Sequence, residues 1–250
     1  MAIAFVSNRA GAGNGSSSST LAFSPIVTWT AGNLFLLCIV FDNVSTTVSN
    51  SNDCTGVTDN TAGGGNTWSK AHERTQSNGA AADGVTVAVF YSKLTNNITT
   101  SDTITVQFSA SVTDKISVAA EFTIGGTPSL ETTKDQHSLA GNGYGSNVIG
   151  SLSSIERLYA MYGGKESNSV NALDALSTSF SALSNARSRN NAAAVRTSGE
   201  YRINTSTGET SNPTHTISAD TASVFIAISE ATAGTLRDII GGGVVPFPRT

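Results

Sequence analysis

Charge is scarce in this sequence: only 13% of its 250 residues are Asp, Glu, Lys or Arg, and the formal net charge is −4 with a pI near 5.3. The 14 basic residues are scattered, so the electrostatic footprint for a phosphate backbone is missing and nucleic acid is excluded as the expected ligand. Long hydrophobic runs are missing too. No apolar stretch approaches the roughly eighteen residues of a membrane span, and the opening "MAIAFVSNRAGAGNGSSSST" has no basic segment followed by a sustained apolar one, so the reading is a chain made and kept in a cytosol. Cysteine is nearly absent. Cys38, inside the apolar run "NLFLLCIVF", and Cys54, in a polar stretch read as a loop, do not make a disulfide framework, and Cys38 reads as a small buried hydrophobe.

Ser, Thr and Asn, about a third of the chain, supply the polarity instead. Short alternating runs bounded by Gly, Asn, Asp and Ser give the period of strands, which Thr and the other β-branched residues favour. Strands are expected at Ala2–Ser7, Thr20–Trp29, Leu34–Asp42, Thr67–Arg74, Val85–Lys93, Thr103–Ala110 and Ile116–Ile124. The second half adds Ile155–Tyr162, Phe180–Ala186, Ala192–Thr197, Glu200–Asn204, His215–Ser218 and Ser223–Ser229. One helical turn is expected within "SVNALDALSTSFSAL". The fold class is therefore all-β: an antiparallel, jelly-roll-like β-sandwich.

The halves resemble each other. "AGNLFLLCIVFDN", "TWSKAHERT", "GVTVAVFYSKLTN" and "SDTITVQFSASVTDKISVAAEF" have counterparts in "SIERLYAMYGGKE", "SFSALSNARS", "NAAAVRTSGEYRINT" and "NPTHTISADTASVFIAISEA". This predicts two pseudo-repeated halves, 20–124 and 148–231, in one domain spanning 20–231. The segment between them, "GGTPSLETTKDQHSLAGNGYGSN", reads as a long polar loop. Interleaving strands of both halves in common sheets would leave fewer exposed edges. Residues 1–19 read as a strand followed by a flexible Gly/Ser-rich arm. Residues 232–250, "TAGTLRDIIGGGVVPFPRT", read as a docking tail whose interface residues are Leu236, Ile239, Ile240, Val244, Val245, Pro246, Phe247 and Pro248.

Chemistry is thinly advertised. "DNTAGGGNTW" lacks the spacing of a phosphate loop and the alternating carboxylates of a calcium loop, although Asp53, Asp59 and nearby amides offer oxygens. It reads as a corner, with Asp59 and Asn60 bonding backbone, the glycines at positive φ and Trp68 burying its ring in the next strand. His72, His137 and His215 show no metal-ligand spacing, and "GYGSNVIG" around Ser146 is no nucleophile elbow. Glu121 and Glu230 end equivalent strands. Convergent at one rim they would make a glycosidase pair, and apart they read as outward-facing strand ends. The reading names no catalytic residue, no metal ligand and no cofactor.

The succession "TWTAGNLFLLCIVFDN", "VTDNTAGGGNTWSKAHE" and "VTVAVFYSKLTNNITTSDTITVQFSASVTDKISVAAEF", with "EYRINTSTGETSNPTHTISADTASVFIAI" later, resembles β-sandwich structural proteins of tailed bacteriophage virions over about Thr20 to Glu230. The extra glycines of "NTAGGGNTW" depart from that family's corner. The resemblance implies a non-enzymatic virion component that decorates or cements the capsid, or belongs to the tail or fibre. It implies the major capsid protein or other virion subunits as partners, a homo-oligomer of trimer type, and no membrane. A carbohydrate-binding adhesin for host glycans is the alternative.

Overall fold

The computed structural model describes residues 2–166, 175–188 and 194–231, and all regular structure among them is strand. The first eight strands are β1 (Ala4–Asn14), β2 (Ser18–Phe23), β3 (Leu34–Asp42), β4 (Cys54–Asp59), β5 (Ser69–Ser77), β6 (Gly84–Lys93), β7 (Ile104–Val112) and β8 (Lys115–Thr123). They form a five-stranded sheet in the order β1-β8-β3-β6-β5 and a three-stranded sheet β2-β7-β4. The rest are β9 (Thr127–Gly143), β10 (Asn147–Ile149), β11 (Arg157–Glu166), β12 (Ser181–Ala182), β13 (Ala186–Arg187), β14 (Val195–Asn204), β15 (Glu209–Ser211) and β16 (Thr214–Ala231). These give a six-stranded sheet in the order β12-β14-β11-β16-β9, with β13 also on β14, and a two-stranded β10-β15 ribbon. Every pairing is antiparallel.

The two large sheets lie face to face, and their shared core explains the apolar runs. Leu36, Cys38, Val87 and Val118 from the first meet Leu158, Ala160, Val224 and Ile226 from the second in one buried cluster. The opposite face of the five-stranded sheet is also covered, since Phe35, Leu37, Ile39 and Phe41 pack with Leu21, Ile104, Val106 and Phe108 of the three-stranded sheet. A strand covered on both sides has no polar face to show, so β3 is buried at all nine positions and reads as a continuous hydrophobic run. The outer face of the six-stranded sheet packs Tyr159, Met161 and Phe225 against Tyr144, Ile149 and Phe180.

Several expectations are revised by this arrangement. Strands of the two halves do not share a sheet: no pairing among the described residues joins the chain before Ile124 to the chain after Gly126, and the halves meet face to face. The polar linking loop is mostly β9, seventeen residues paired along β16 from Thr127↔Ala231 to Gly143↔Thr214. As an edge strand it needs only one hydrogen-bonded neighbour, and polar residues such as Lys134 and Asp135 suit an edge that must not recruit another chain. Cys54 opens β4 and is buried, as is Cys38, and both thiols are free. Burial pushes the Cys38 thiol up to about 12 and raises that of Cys54, where the Glu73 charge adds to the effect. Of the Gly/Ser-rich arm, Gly11–Asn14 lies in β1 and Ser18–Thr20 in β2. The helical turn falls partly outside the described residues, and 175–183 contains no helix.

Candidate functional site

The glycine-rich stretch is a stapled corner. Asp59 closes β4, and its carboxylate accepts bonds from the Asn66 amide (3.1 Å), the Asn66 side chain (3.3 Å), the Trp68 indole (3.0 Å) and the Thr61 hydroxyl. Gly63 and Gly64 take φ values of 99° and 98°, which a side chain would strain. Asn66 Oδ1 in turn accepts the backbone N–H groups of Thr95 (2.8 Å) and Asn96 (2.9 Å), tying the corner to the next turn. Both Asp59 oxygens face donors, the reverse of the lining a cation requires. Trp68 is half-buried, edge-on to the buried Trp29 at 6.5 Å.

The two equivalent glutamates do not converge. Glu121 is fully buried rather than outward-facing, held by the Arg9 guanidinium (Nε at 2.7 Å) and the Asn33 amide (2.6 Å). Strand alternation puts it with Ala119, toward the three-stranded sheet. Glu230 shares the parity of Ile226 and Ile228, which face the other way, and it accepts the Gly125 N–H at 2.5 Å. The five-stranded sheet therefore lies between the carboxylates, an arrangement that no paired-acid hydrolysis can use. The histidines are likewise spoken for. His72 meets Asp135 at 2.8 Å beside Arg74, and His137 meets Gln76 at 2.7 Å, clasping β5 of one half to β9 of the other. His215 is buried edge-on to Tyr144 and bonds the Ile217 carbonyl.

Acidic groups gather at one end of the interface between the large sheets. Burial, then the charges of Asp220, Asp42, Asp83 and Asp114, push the Glu166 carboxyl up to about 7. Lys115 lies nearby and donates to the Val112 carbonyl at 2.8 Å and the Ser16 carbonyl at 2.6 Å. A folded state that holds a proton already released by the unfolded chain loses stability as pH rises from about 4.5 to about 7. Because Glu166 is only half-buried, screening reduces the effect to about 1 kcal/mol. Denaturant melts across this pH range will show a decline for the native chain that Glu166→Gln largely removes; an unchanged slope in the variant would assign the decline to other groups. Among the described residues no group of three or more His, Cys, Asp or Glu side chains is placed to hold a metal ion.

A recess of about 460 Å³ opens on the second half, between the 175–180 segment and the chain joining β15 to β16. Leu176, Ser177, Thr178, Thr210, Asn212 and Thr214 line it. Its walls are fastened by the Ala175–Thr214 bridge (2.6 and 3.0 Å) and by the Asn212 N–H donating to Ser177 Oγ at 2.6 Å. Behind them sits Glu200, fully buried, which accepts the Ser177 N–H and the Ser211 hydroxyl, each at 2.7 Å. Periodicity could not find this place, because its residues lie in loops and at strand ends and come together only through the pairings made by β14, β15 and β16. The docking residues Leu236, Ile239, Ile240, Val244, Val245, Pro246, Phe247 and Pro248 lie outside the described residues.

No protein-family model, no curated protein and no solved structure matches the chain. No helix among the described residues is long and apolar enough to cross a membrane.

Proposed function

We propose that this chain is a non-enzymatic structural component of a tailed-phage particle, built from two pseudo-repeated jelly-roll halves, that decorates the capsid as a cement protein. Strand order is the observation that supports the reading. In the first half the sheet β1-β8-β3-β6-β5 faces β2-β7-β4; the run β1-β8-β3-β6 over β2-β7-β4 is the order of a jelly roll, a fold used by viral capsid and lectin domains, while β5 departs from it by pairing with β6 and not with β4. The second half follows it in part, without a counterpart to β4 among the described residues. There β9-β16-β11-β14 follows the same order, β12 and β13 stand where β5 stands, and the β10-β15 pair answers to β2-β7. A fold that spends its rare charges on internal pairs and faces outward with hydroxyls and amides suits repeated attachment to a lattice. In this reading the partners are the major capsid protein or other virion subunits, the assembly is a homotrimer folded in the host cytoplasm, and the 232–250 tail is the anchor. It needs no cofactor, membrane or nucleic acid.

Purified particles carrying a tagged copy provide the test. Mass spectrometry should recover the protein with intact heads, and deletion of residues 235–250 should lower occupancy about tenfold or more, a loss of at least about 1.4 kcal/mol of docking free energy. Full occupancy by the truncated chain would remove the tail as anchor. Recovery with detached tails alone would move the protein to the tail or fibre, and absence from particles would overturn the proposal. A glycan-recognising adhesin is the second reading, and the hydroxyl-lined recess is the observation that favours it.

A further inference from the structure

We propose that the recess beside Leu176 is a binding site for one neutral sugar unit of a glycan. Thr210, Asn212 and Thr214 supply hydrogen bonds from one wall, Ser177 and Thr178 from the other, and Leu176 offers an apolar edge to the ring.

Three features carry this. At about 460 Å³ the cavity falls within the size range of small-ligand sites, and a few placed polar groups there are what fix orientation. The side chains of Thr178, Thr210, Asn212 and Thr214 make no hydrogen bond within the described protein, so their donors and acceptors are turned to whatever fills the space. Hydroxyls and an amide both donate and accept, matching a ligand whose every hydroxyl does the same. Among the described residues the lining contains no ionisable side chain.

Glu200 sharpens that choice. It is fully buried with neutral donors on both oxygens, and it borders a second cavity of about 10 Å³, room for a single water, that shares Leu176 with the recess. Through Ser177 and Ser211 it positions the walls without reaching the ligand. Its negative charge close behind them disfavours sialic or uronic acids and favours uncharged sugars. With only Ala175 and Leu176 as aliphatic contacts and no aromatic platform among the described residues, each site is weak, and a repeated array would raise its effect through avidity.

The test is saturation-transfer NMR on the full chain with methyl glycosides of glucose, galactose, mannose, rhamnose and N-acetylglucosamine, beside methyl glucuronide and methyl sialoside. At least one neutral glycoside should show transfer with a Kd of about 1 mM, and Asn212→Ala with Thr210→Val should weaken it about tenfold. Both positions are exposed and neither side chain holds the fold, so circular dichroism of the double variant should be unchanged. The proposal is overturned by no transfer from any neutral glycoside at about 10 mM, by binding that survives the double variant, or by preference for the acidic glycosides. None of these outcomes bears on whether the protein co-purifies with particles.

Discussion

Replacing Gly164 with valine will abolish the stable fold, with an expected loss of about 3 kcal/mol or more. Gly163 and Gly164 form a pair within β11, where they look in sequence like a turn. A Cβ on Gly164 would sit 2.6 Å from Val87 Cγ2 and 2.7 Å from Val40 Cγ1, both in the core between the large sheets. Valine side chains are stiff at χ1 and packed on all sides, so they cannot swing away. Relief would require separating the sheets, which forfeits contacts along the whole interface. Chemical denaturation should show the variant unfolded or with a strongly reduced midpoint. Gly164→Ala should fall between the two, and a variant of native stability would mean that the sheets are less closely apposed than these distances imply.

Glu121→Ala should cost about 3 kcal/mol, because it strands the Arg9 guanidinium and the Asn33 amide that the buried carboxylate now satisfies. Arg9 keeps 17% of its side chain exposed and so recovers part of its hydration, which holds the cost at the lower end for a broken buried pair. Removing both charges, as Arg9→Met with Glu121→Leu, should be milder than Glu121→Ala alone. That ordering in a double-mutant cycle checks the claim, and equal losses from the single and double variants would show that the ion pair is not what the site depends on.

The scarcity of charge was plain in the sequence, but its destination was not. Arg157 has no exposed surface, and its guanidinium bonds Glu131 (2.6 Å), the Ile155 carbonyl (3.0 Å) and Ser153 Oγ (2.8 Å). Glu73 likewise accepts the N–H groups of Asp53 (2.6 Å) and Cys54 (3.1 Å) along with Lys70 (2.7 Å), joining the start of β4 to β5. The bonds from Arg157 to Glu131 and from Glu73 to Asp53 and Cys54 link residues about twenty or more positions apart, and nothing in local spacing announces them. The corner at Asp59 was legible, since glycines and side-chain-to-backbone bonds are local chemistry.

Strands with an apolar signature could be read directly: β3 spans the expected Leu34–Asp42, and β6 and β8 lie within one residue of expectation. Where one strand was read as two, as in β14 and β16, intervening Ser, Gly, Ala and Asp residues interrupt the pattern while the ladder runs on. β9 was missed altogether because an edge strand takes its stability from the neighbour's backbone and carries no apolar period.

Alone, then, the sequence determined the all-β class and the residues of the core, because alternation and β-branched composition act within a few residues of each other. Only the tertiary structure decided that the halves stack as face-packed layers without sharing a sheet, that Glu121 and Glu230 lie on opposite sides of one of those layers, and that a polar recess forms beside Leu176. Those outcomes depend on which distant backbones pair and which faces they bury, and that choice is made by the whole chain's packing at once.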